Sequence, residues 1–466
     1  MSVLAPEELA LRAGRLASAM RTMRPRVQVL GVLADNGLDW IALDRAAQRS
    51  GVSLVTLPES FSGAQLAQTV QVSRMDTLFC PDASVAQALG FAPAGIPDGM
   101  PWHRRAVARR SDSPPRASKI AFTSGTTGAP KPVRLTAREQ WQVARSLCEA
   151  LGPLRLRRHL CLLPLAVLLE SIAGVYAAEL AGAQCCVPPL AEVGMRSEAG
   201  FDAVACLAAI ERWKAQSVIL LPHMLAALTT ALEGGAQLPR GLRFAMVSGA
   251  HTARALLERA RRAGLPAYEG YGLSECASLV TLNHPGADRL GSVGRPLAHA
   301  QVRIERGEIQ VKRQGRWLPT GDLGRLDADG FLYVEGRRKN TLVKSLDCNI
   351  SPEWAEAELV AGPAIAQAAV FGGARAHLCA VLVAASAALT DGALESQVDA
   401  ANARLPECAQ VRRWVRADTG FTWQNGLATA YGRPVREAIW ETYRKRLGAL
   451  LDEPGSRVAA SADRRR

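Results

Sequence analysis

The sequence predicts an α/β fold with a large N-terminal domain, a smaller antiparallel section and a small α+β C-terminal domain. Apolar runs of strand length alternate with helical runs through much of the chain. After about Gly291 the runs become short and alternating, with tight turns between them. From Asn340 onward a separate mixture of helical and strand-like runs follows. These three changes of pattern indicate more than one folding unit.

The first clear unit lies at residues 27–57. A short apolar run is followed by a turn at Asn36 and Gly37, a helical run and another apolar run. This order is typical of the strand, helix, strand units that build parallel sheets. The same alternation returns at residues 77–90, 217–235 and 244–264.

Two further elements are predicted between these units. Thr136 and Glu139 have the spacing of a capping box, which predicts a helix that continues to Leu151. The most apolar stretch, residues 160–186, carries Glu170 near its middle. A carboxylate at the bilayer centre is penalised by about 2.5 to 3.5 kcal/mol, so we predict a strand and a core helix here. We therefore expect no transmembrane segment, and peripheral membrane contact is left open.

The C-terminal part supplies the domain boundary. Asp329 and Gly330 between two apolar runs predict a tight turn within antiparallel strands. We place the boundary near residues 337–339, which divides the chain into a large domain at 1–336 and a small domain at 337–453. Residues 454–466 are small, polar and basic, and are predicted to be disordered.

Composition narrows the class of protein. The 466 residues are 48% hydrophobic and 21% charged, with a formal net charge of +13. The basic residues are scattered and lack interleaved aromatics, so no nucleic-acid partner is expected and a small anionic ligand is favoured. Ten cysteines without a CxxC pair, and an N-terminus unlike a secretory signal, favour free thiols in the cytoplasm.

The sharpest motif is TSGTTGAPK at residues 123–131. Glycine lets a backbone approach a polyphosphate, and hydroxyl groups with backbone N–H groups supply donors. Lys131 adds a cation. The spacing differs from that of the usual P-loop. The predicted phosphate-contacting residues are Thr123, Ser124, Gly125, Thr126, Thr127 and Gly128.

Two further motifs carry side chains suited to a nucleotide. In GYGLSE, Tyr271 offers a flat face for adenine, Ser274 a hydroxyl for the α-phosphate, and Glu275 a hard oxygen ligand for Mg²⁺. In TGDLG, Asp322 can accept hydrogen bonds from both hydroxyls of a ribose. Taken alone, each motif is more often only a turn that contains a carboxylate.

Together these motifs resemble the AMP-forming acyl- and aryl-CoA synthetases, a superfamily that includes peptide-synthetase adenylation domains and firefly luciferase. VSGA, GYGLSE, GSVGRP, GEIQVK, TGDLG and EGRRKN follow the phosphate-loop motif in the family's order. The resemblance covers essentially the whole chain. It implies stacked α/β sheets with a small barrel-like subdomain, followed by a small mobile C-terminal domain.

The resemblance also implies an activity and roles for residues. It implies an enzyme that uses ATP and Mg²⁺ to convert a carboxylic acid to acyl-AMP, and then passes the acyl group to CoA or to the phosphopantetheine of an acyl carrier protein. Thr126 and Glu275 would bind the metal, Arg337 would assist at the nucleotide, and Lys339 would be the hinge. Gly249, Ala250 and Gly272 belong to its nucleotide-binding motifs.

Three departures from the family pattern bear on the substrate and the reaction. Val167 replaces the usual histidine in a segment that resembles long-chain members, so a fatty or an aromatic acid remains open. Arg433 stands where relatives carry a catalytic lysine, and Arg436 is a nearby alternative. Leu346 and Asp347 replace a glycine-containing turn at the thiol channel.

These departures leave three hypotheses. The first is a ligase that joins an acid to a thiol. The second is an adenylate-forming enzyme with a non-thiol acceptor, motivated by Leu346 and Asp347. The third is a nucleotide-binding or acyl-AMP-binding protein that lost turnover when the lysine became Arg433.

Overall fold

The computed structural model describes residues 6–94, 99–107, 117–123, 131–196, 200–338, 342–345, 348–372, 378–422, 424–429, 432–452 and 459–460. The chain folds into two compact units. Unit 1 comprises Met1–Met195, Ala209–Ile219 and Gly272–Leu279, and unit 2 comprises Arg196–Ala208, Leu220–Tyr271 and Val280–Arg466. The proposed domain boundary at residues 336 and 337 stays a prediction.

Helices and strands alternate along most of the chain. The α-helices are α1 (Pro6–Thr22), α2 (Leu38–Ser50), α3 (Gly63–Ser73), α4 (Ala83–Ala88), α5 (Ala137–Leu151), α6 (Ala177–Leu180), α7 (Ala203–Arg212), α8 (Pro222–Glu233), α9 (Arg254–Arg262), α10 (Pro352–Leu359), α11 (Asp391–Asn402) and α12 (Arg436–Asp452). A π-helix spans Leu169–Tyr176, and short 3₁₀ turns span Gly152–Leu154, Leu190–Val193, Ser274–Cys276 and Glu407–Ala409.

The strands of the first half are β1 (Val29–Val32), β2 (Ser53–Thr56), β3 (Thr77–Phe79), β4 (Ala92–Pro93), β5 (Trp102–Arg104), β6 (Lys119–Thr123), β7 (Lys131–Leu135), β8 (Arg158–Leu160), β9 (Gln184–Cys186), β10 (Met195–Arg196), β11 (Gly200–Phe201) and β12 (Ser217–Leu220). Those of the second half are β13 (Phe244–Val247), β14 (Ala267–Tyr271), β15 (Thr281–Leu282), β16 (Arg295–Pro296), β17 (Val302–Glu305), β18 (Glu308–Arg313), β19 (Arg316–Leu326), β20 (Leu332–Arg337), β21 (Leu342–Ser345), β22 (Cys348–Ile350), β23 (Ile365–Phe371), β24 (Leu378–Ala384), β25 (Val411–Arg416) and β26 (Ala459–Ala460).

Unit 1 is organised around a sheet with the strand order β4-β5-β3-β1-β2-β6-β7. The pairs β1 with β2, β1 with β3 and β2 with β6 are parallel, while β6 and β7 form an antiparallel hairpin. A core of buried side chains, including Val55, Leu78 and Phe122, packs against this sheet. In the same unit β8 pairs in parallel with β9 and with the start of β12. The predicted strand, helix, strand unit is confirmed.

Two elements of unit 1 lie where local sequence patterns predicted them. The Thr136 side chain accepts from the backbone N–H of Glu139, and the Glu139 side chain accepts from the N–H of Thr136, so α5 begins with the predicted capping box and ends at Leu151. The predicted core helix in residues 160–186 is present, but its first part is a π-helix that is buried throughout. No helix among the described residues is long and apolar enough to cross a membrane.

Unit 2 begins with parallel strands and continues with antiparallel ones. Strands β13 and β14 are parallel, and β15 pairs antiparallel with β14 and β16. Strands β17 to β20 follow as an antiparallel sheet in chain order, as the short alternating runs predict. The N–H of Gly330 donates to the carbonyl of Asp327, which closes the predicted turn between β19 and β20.

The C-terminal part of unit 2 has the predicted α+β composition. Strands β23, β24, β25 and β26 form one sheet in that order. Buried side chains on its two faces, including Leu382 and Trp414 on one and Val381 and Val415 on the other, pack against α10, α11 and α12. The two-residue strand β26 lies in the tail predicted to be disordered. Cys185 and Cys186 are free thiols, as predicted, whereas Cys408 is disulfide-bonded.

Candidate functional site

The predicted nucleotide-binding residues fall in both units. In unit 1, β6 ends at Thr123 and β7 begins at Lys131, and these two residues are paired across the hairpin. The hairpin therefore holds both ends of the predicted phosphate loop side by side. Ser124, Gly125, Thr126, Thr127 and Gly128 lie outside the described residues, as do Lys339, Leu346 and Asp347.

Strand β7 lies beside the 3₁₀ turn Ser274–Cys276, which carries two of the predicted residues. Ser274 and Glu275 are half-buried, and Lys131 is exposed. Within the described part of unit 1, the strand that follows the phosphate loop and the proposed metal ligand Glu275 thus belong to one neighbourhood. A carboxylate oxygen is a hard donor, so Glu275 fits Mg²⁺.

The turn at Glu275 depends on Gly272. A Cβ atom at this position would lie 1.5 Å from the carbonyl oxygen of Ser278, a distance that no side chain can occupy. The N–H groups of Cys276 and Ser278 both donate to the carbonyl of Leu273, which closes the turn. Gly272 is therefore required by close backbone packing that orients Ser274 and Glu275.

In unit 2, Asp322 is the centre of a polar cluster. Its Oδ2 accepts from the Tyr271 hydroxyl at 2.8 Å, and its Oδ1 accepts from the Arg337 guanidinium at 2.9 Å. Pairing of β19 with β20 places Asp322 directly opposite Arg337. The structure thus brings together three predicted residues that are distant in sequence.

Asp322 lies in a buried environment with polar and charged neighbours. Asp322 is only 6% exposed and lies against the positive charge of Arg337. Burial, and secondly the neighbouring charge of Asp322, raises the pKa of Tyr271 above its ordinary value, so the phenol stays protonated and donates. An ionised carboxylate with preorganised partners is suited to accept hydrogen bonds from a polar ligand.

Beside this cluster lies a cleft of about 280 Å³ lined by Thr320, Gly321, Arg337 and Arg338. The Thr320 hydroxyl accepts from the N–H of Asp322 at 3.1 Å, and Glu308 accepts from the N–H of Gly321 at 2.8 Å. Sequence reasoning missed Thr320 and Glu308 as supports of the cluster. The spacing of Thr320, two residues before Asp322, is the signal that could have found it.

Arg433 reaches a second predicted motif of unit 2. Its guanidinium donates to the carbonyl of Gly249, in the loop that follows β13. Gly249 has a φ of +98°, and its neighbour Ala250 is exposed. The turn that carries Arg433 is held by a hydrogen bond of 2.8 Å from the N–H of Thr429 to the Arg433 carbonyl. Two separately predicted features, Arg433 and the VSGA loop, therefore lie in contact.

Arg436, the alternative to Arg433, is engaged elsewhere. Its guanidinium pairs with Glu356 at 2.6 Å and with Glu353 at 3.2 Å. Burial raises the pKa of Glu356 to about 7, and the charge of Arg436 opposes that rise. Arg436 joins the start of α12 to α10, which is a structural role.

His223 is a further residue that sequence reasoning missed. It lies in the first turn of α8, and a Cβ atom at Gly432 would lie 3.2 Å from its imidazole. Burial lowers the pKa of His223 to about 4, so the ring is neutral at physiological pH. A histidine at the carboxyl end of a parallel strand was the available signal.

The sequence of residues 7–324 matches the model of the AMP-binding enzyme family. The chain belongs to the AMP-binding enzyme family. Among its relatives is a 2-succinylbenzoate--CoA ligase of Bacillus velezensis, 31% identical over 283 residues, which covers 54% of this chain and 55% of that protein. The chain thus spans about half the length of this curated relative.

Solved structures of AMP-binding enzymes agree with the fold. The O-succinylbenzoate coenzyme A synthetase of Bacillus subtilis in complex with AMP superimposes with a TM-score of 0.72 and 25% identity over 92% of each chain. The same enzyme with ATP and magnesium ion gives a TM-score of 0.71 over 92% of this chain and 93% of that one, at 25% identity. An anthranilate CoA ligase in complex with anthranoyl-AMP gives 0.78 at 18% identity, covering 95% of this chain and 92% of that one.

These comparisons confirm the predicted superfamily and α/β fold. They do not support the expected likeness to long-chain members, because the relatives named here are ligases of succinylbenzoate and anthranilate. The aliphatic segment that suggested the long-chain type, residues 160–171, ends in the buried π-helix of unit 1. Its apolar character is explained by burial in the core.

Proposed function

We propose that this AMP-binding enzyme activates an aromatic carboxylic acid with ATP and then transfers the acyl group to the thiol of CoA. In the first step an oxygen of the substrate carboxylate bonds to the α-phosphorus of ATP, and the bond to the β-phosphate breaks to release pyrophosphate. In the second step the CoA thiol loses its proton and bonds to the acyl carbon, and AMP leaves. The named relatives, which are CoA ligases of succinylbenzoate and anthranilate, support the aromatic class.

One observation carries this proposal: the hydrogen-bonded cluster of Tyr271, Asp322 and Arg337 in a chain of this family. The Asp322 carboxyl group is buried and held from both sides, which preorganises its oxygens to accept hydrogen bonds from two ribose hydroxyls. Tyr271 would present its ring to adenine, and Arg337 would add positive charge. Gly249, Ala250 and Gly272 would supply backbone close to the nucleotide.

The phosphates would be met by the loop between β6 and β7. Thr123, Ser124, Gly125, Thr126, Thr127 and Gly128 would contact them, Lys131 would add charge, and Ser274 would donate to the α-phosphate. Mg²⁺, held by Glu275 and Thr126, would supply charge neutralisation of the polyphosphate. Lys339 would serve as the hinge of a mobile C-terminal domain at residues 337–453.

Arg433 would take the place of the lysine that binds the substrate carboxylate and the α-phosphate during adenylation. Support comes from its contact with the Gly249 carbonyl and from the engagement of Arg436 with Glu353 and Glu356. Arginine is always charged and presents a planar fork of donors. It can therefore bridge two anionic oxygens.

The test is pyrophosphate release by the full chain with a panel of aromatic and fatty acids, followed by mass spectrometry for a CoA thioester. We expect release and a thioester with at least one aromatic acid. Release without a thioester on CoA would favour a carrier protein or a non-thiol acceptor, which matched assays with acyl carrier protein distinguish. If the folded protein releases no pyrophosphate in response to any acid, the proposed enzymatic activity is refuted.

The role of Arg433 has its own test. Arg433→Ala should lower the rate of pyrophosphate release about 10² to 10³-fold, because one preorganised positive group is lost from the transition state, whereas Arg433→Lys should retain most of it. Arg412→Ala, which removes an exposed arginine of the same C-terminal part, is the control. If the wild type is inactive and Arg433→Lys is active, the result would instead support the third hypothesis, a nucleotide-binding or acyl-AMP-binding protein that lost turnover.

A further inference from the structure

Outside the proposed nucleotide site, four metal-ligating side chains converge in unit 1. His159 and Cys161 are two residues apart along β8 and its extension, so they face the same side of the sheet. Cys185 pairs with His159 across the parallel strands β8 and β9 and shares that face. Glu170 reaches the same place from the π-helix that packs there.

The ligand atoms are close enough to share one ion. Those of His159, Cys161 and Glu170 all lie within 4.8 Å of one another and are buried. The sulfurs of Cys161 and Cys185 are 3.6 Å apart, and Nε2 of His159 is 2.9 Å from Oε1 of Glu170. Two sulfurs bound tetrahedrally at about 2.3 Å from zinc are about 3.8 Å apart, so the thiol pair needs almost no movement.

The outer atoms of the ligands are already held. Nδ1 of His159 lies 3.0 Å from the hydroxyl of Ser217. Oε2 of Glu170 accepts from the N–H groups of Leu162 and Leu163 at 3.2 and 2.9 Å. Metal-binding imidazoles and carboxylates are normally oriented by such partners on the atom that does not bind the ion. These contacts leave Nε2 and Oε1 directed at each other.

Nε2 of His159 and Oε1 of Glu170 face each other at 2.9 Å. In the metal-free protein a neutral imidazole with its proton on Nε2 donates to this oxygen. With the proton on Nδ1 instead, directed at the Ser217 hydroxyl, Nε2 is free to bind a cation. A cation at this position would also engage the two nearby sulfurs.

We propose that His159, Cys161, Glu170 and Cys185 form a structural site for a zinc ion or another thiophilic divalent cation. Thiolate and imidazole ligands select such ions over Mg²⁺, so this site is distinct from the one proposed at Glu275. Four protein ligands leave no open position, which is the pattern of a structural site and not of a catalytic one. Binding would join β8, β9 and the π-helix.

Two further features of the fold suit this site. A Cβ atom at Gly174 would lie 2.4 Å from Oε1 of Glu170 and 2.7 Å from Nε2 of His159, so only glycine lets the π-helix close over the pair. Cys185 is half-buried on β9, the terminal strand of its sheet, which provides a path for the ion.

The experiment is a cobalt(II) titration of the full chain after treatment with a chelator. We expect one equivalent of cobalt to produce the thiolate-to-cobalt charge-transfer absorption of a tetrahedral site, and zinc to displace it. Cys161→Ala and Cys185→Ala should each abolish or strongly weaken that band. Ser217→Ala, which removes only the partner of the imidazole, should weaken cobalt binding about 10 to 100-fold.

Cys186→Ala is the matched control, because Cys186 neighbours Cys185 but faces the other side of β9. Its cobalt spectrum should equal that of the wild type. If folded wild-type protein shows no charge-transfer band with excess cobalt and no rise in Tm with zinc, the proposal is overturned, whatever the variants do. A band that persists in both Cys161→Ala and Cys185→Ala would place the ion elsewhere and also overturn it.

Discussion

Asp322 shows how a single buried carboxylate can be prepared for a ligand. Two side chains already donate to it, and the backbone N–H of its own residue is held by Thr320. Such preorganisation means that little rearrangement is needed when a polar ligand arrives. The charge of Asp322 is therefore the property that substitution should probe.

Asp322→Asn keeps the size of the side chain but removes its charge, and it replaces one acceptor oxygen with an NH₂ group. Hydrogen bonds to charged groups contribute about 1.5 to 3 kcal/mol, so we expect ATP affinity to fall about 10 to 100-fold. Isothermal titration calorimetry with ATP measures this directly. Asp329→Asn, at an exposed carboxylate that pairs with Arg289, is the control and should bind ATP normally. Equal ATP affinity in both variants would show that Asp322 does not belong to the nucleotide site.

At the scale of elements, β14 carries a buried acid just before Tyr271. Glu269 is 3% exposed, and its Oε1 accepts a hydrogen bond of 3.3 Å from the N–H of Thr252. Burial raises the pKa of Glu269 to about 8, although the hydrogen bonds from Thr252 oppose the rise. The folded protein therefore holds this proton more tightly than the unfolded chain does.

This raised pKa predicts a pH dependence of stability. Because the folded pKa lies above the ordinary value of 4.5, the stabilisation is complete below about pH 4.5 and is lost as pH rises through about 8. Glu269→Gln cannot ionise, so it should not show this loss. The difference in free energy of unfolding between Glu269→Gln and the wild type should therefore be larger at about pH 9 than at about pH 5, by a few kcal/mol.

Urea unfolding at several pH values tests this expectation. Glu258→Gln, at a half-buried carboxylate in an ion pair with Arg254, is the control. Parallel pH profiles for wild type and Glu269→Gln would show that Glu269 does not titrate in this range.

The turn between β14 and β15 has no room for a side chain at Gly272. In Gly272→Ala the new methyl group would overlap the Ser278 carbonyl, so the backbone of the turn must move. We expect a loss of about 1 to 3 kcal/mol of stability, together with a fall in pyrophosphate release, because Ser274 and Glu275 move with the turn. Gly63→Ala, where no atom lies within 4 Å of the new Cβ, should change neither. Normal activity in Gly272→Ala would separate the turn from catalysis.

On the scale of the whole molecule, a buried ionic network joins distant elements of unit 1. Nζ of Lys119, at the start of β6, lies 3.2 Å from Oδ2 of Asp44 on α2, and the Tyr176 hydroxyl donates to the same oxygen at 2.7 Å. Lys119 is fully buried, and Arg45 stacks 3.9 Å from the ring of Tyr176. The network holds α2, β6 and the π-helix in one arrangement.

Removing one charged member of this network should lower the free energy of unfolding. Lys119→Met leaves buried Asp44 with only the guanidinium of Arg45, 3.4 Å away, as a charged partner. Removing one partner of a buried ion pair costs about 3 to 5 kcal/mol. The double variant Lys119→Met with Asp44→Leu should recover part of that loss. Urea unfolding of both variants measures the difference, with the exposed pair Arg212 and Glu192 as a control for surface ion pairs. A loss below about 1 kcal/mol in Lys119→Met would show that the pair contributes no more than a surface ion pair.

The sequence by itself determined the features that a few neighbouring residues encode. The capping box at Thr136, the turn before Gly330 and the alternation of strands and helices all follow from local hydrogen bonding and side-chain periodicity. The order of the nucleotide-binding motifs is likewise sufficient to identify the family.

Only the tertiary structure decided which distant residues meet. The contacts of Asp322 with Tyr271, of Arg433 with Gly249 and of His159 with Cys185 depend on strand order and register, and these are set by the packing of whole sheets. The π-helix at residues 169–176 is a further case. Its apolar residues fit a strand or any buried helix equally well. The packing of the surrounding core therefore determines its hydrogen-bonding pattern.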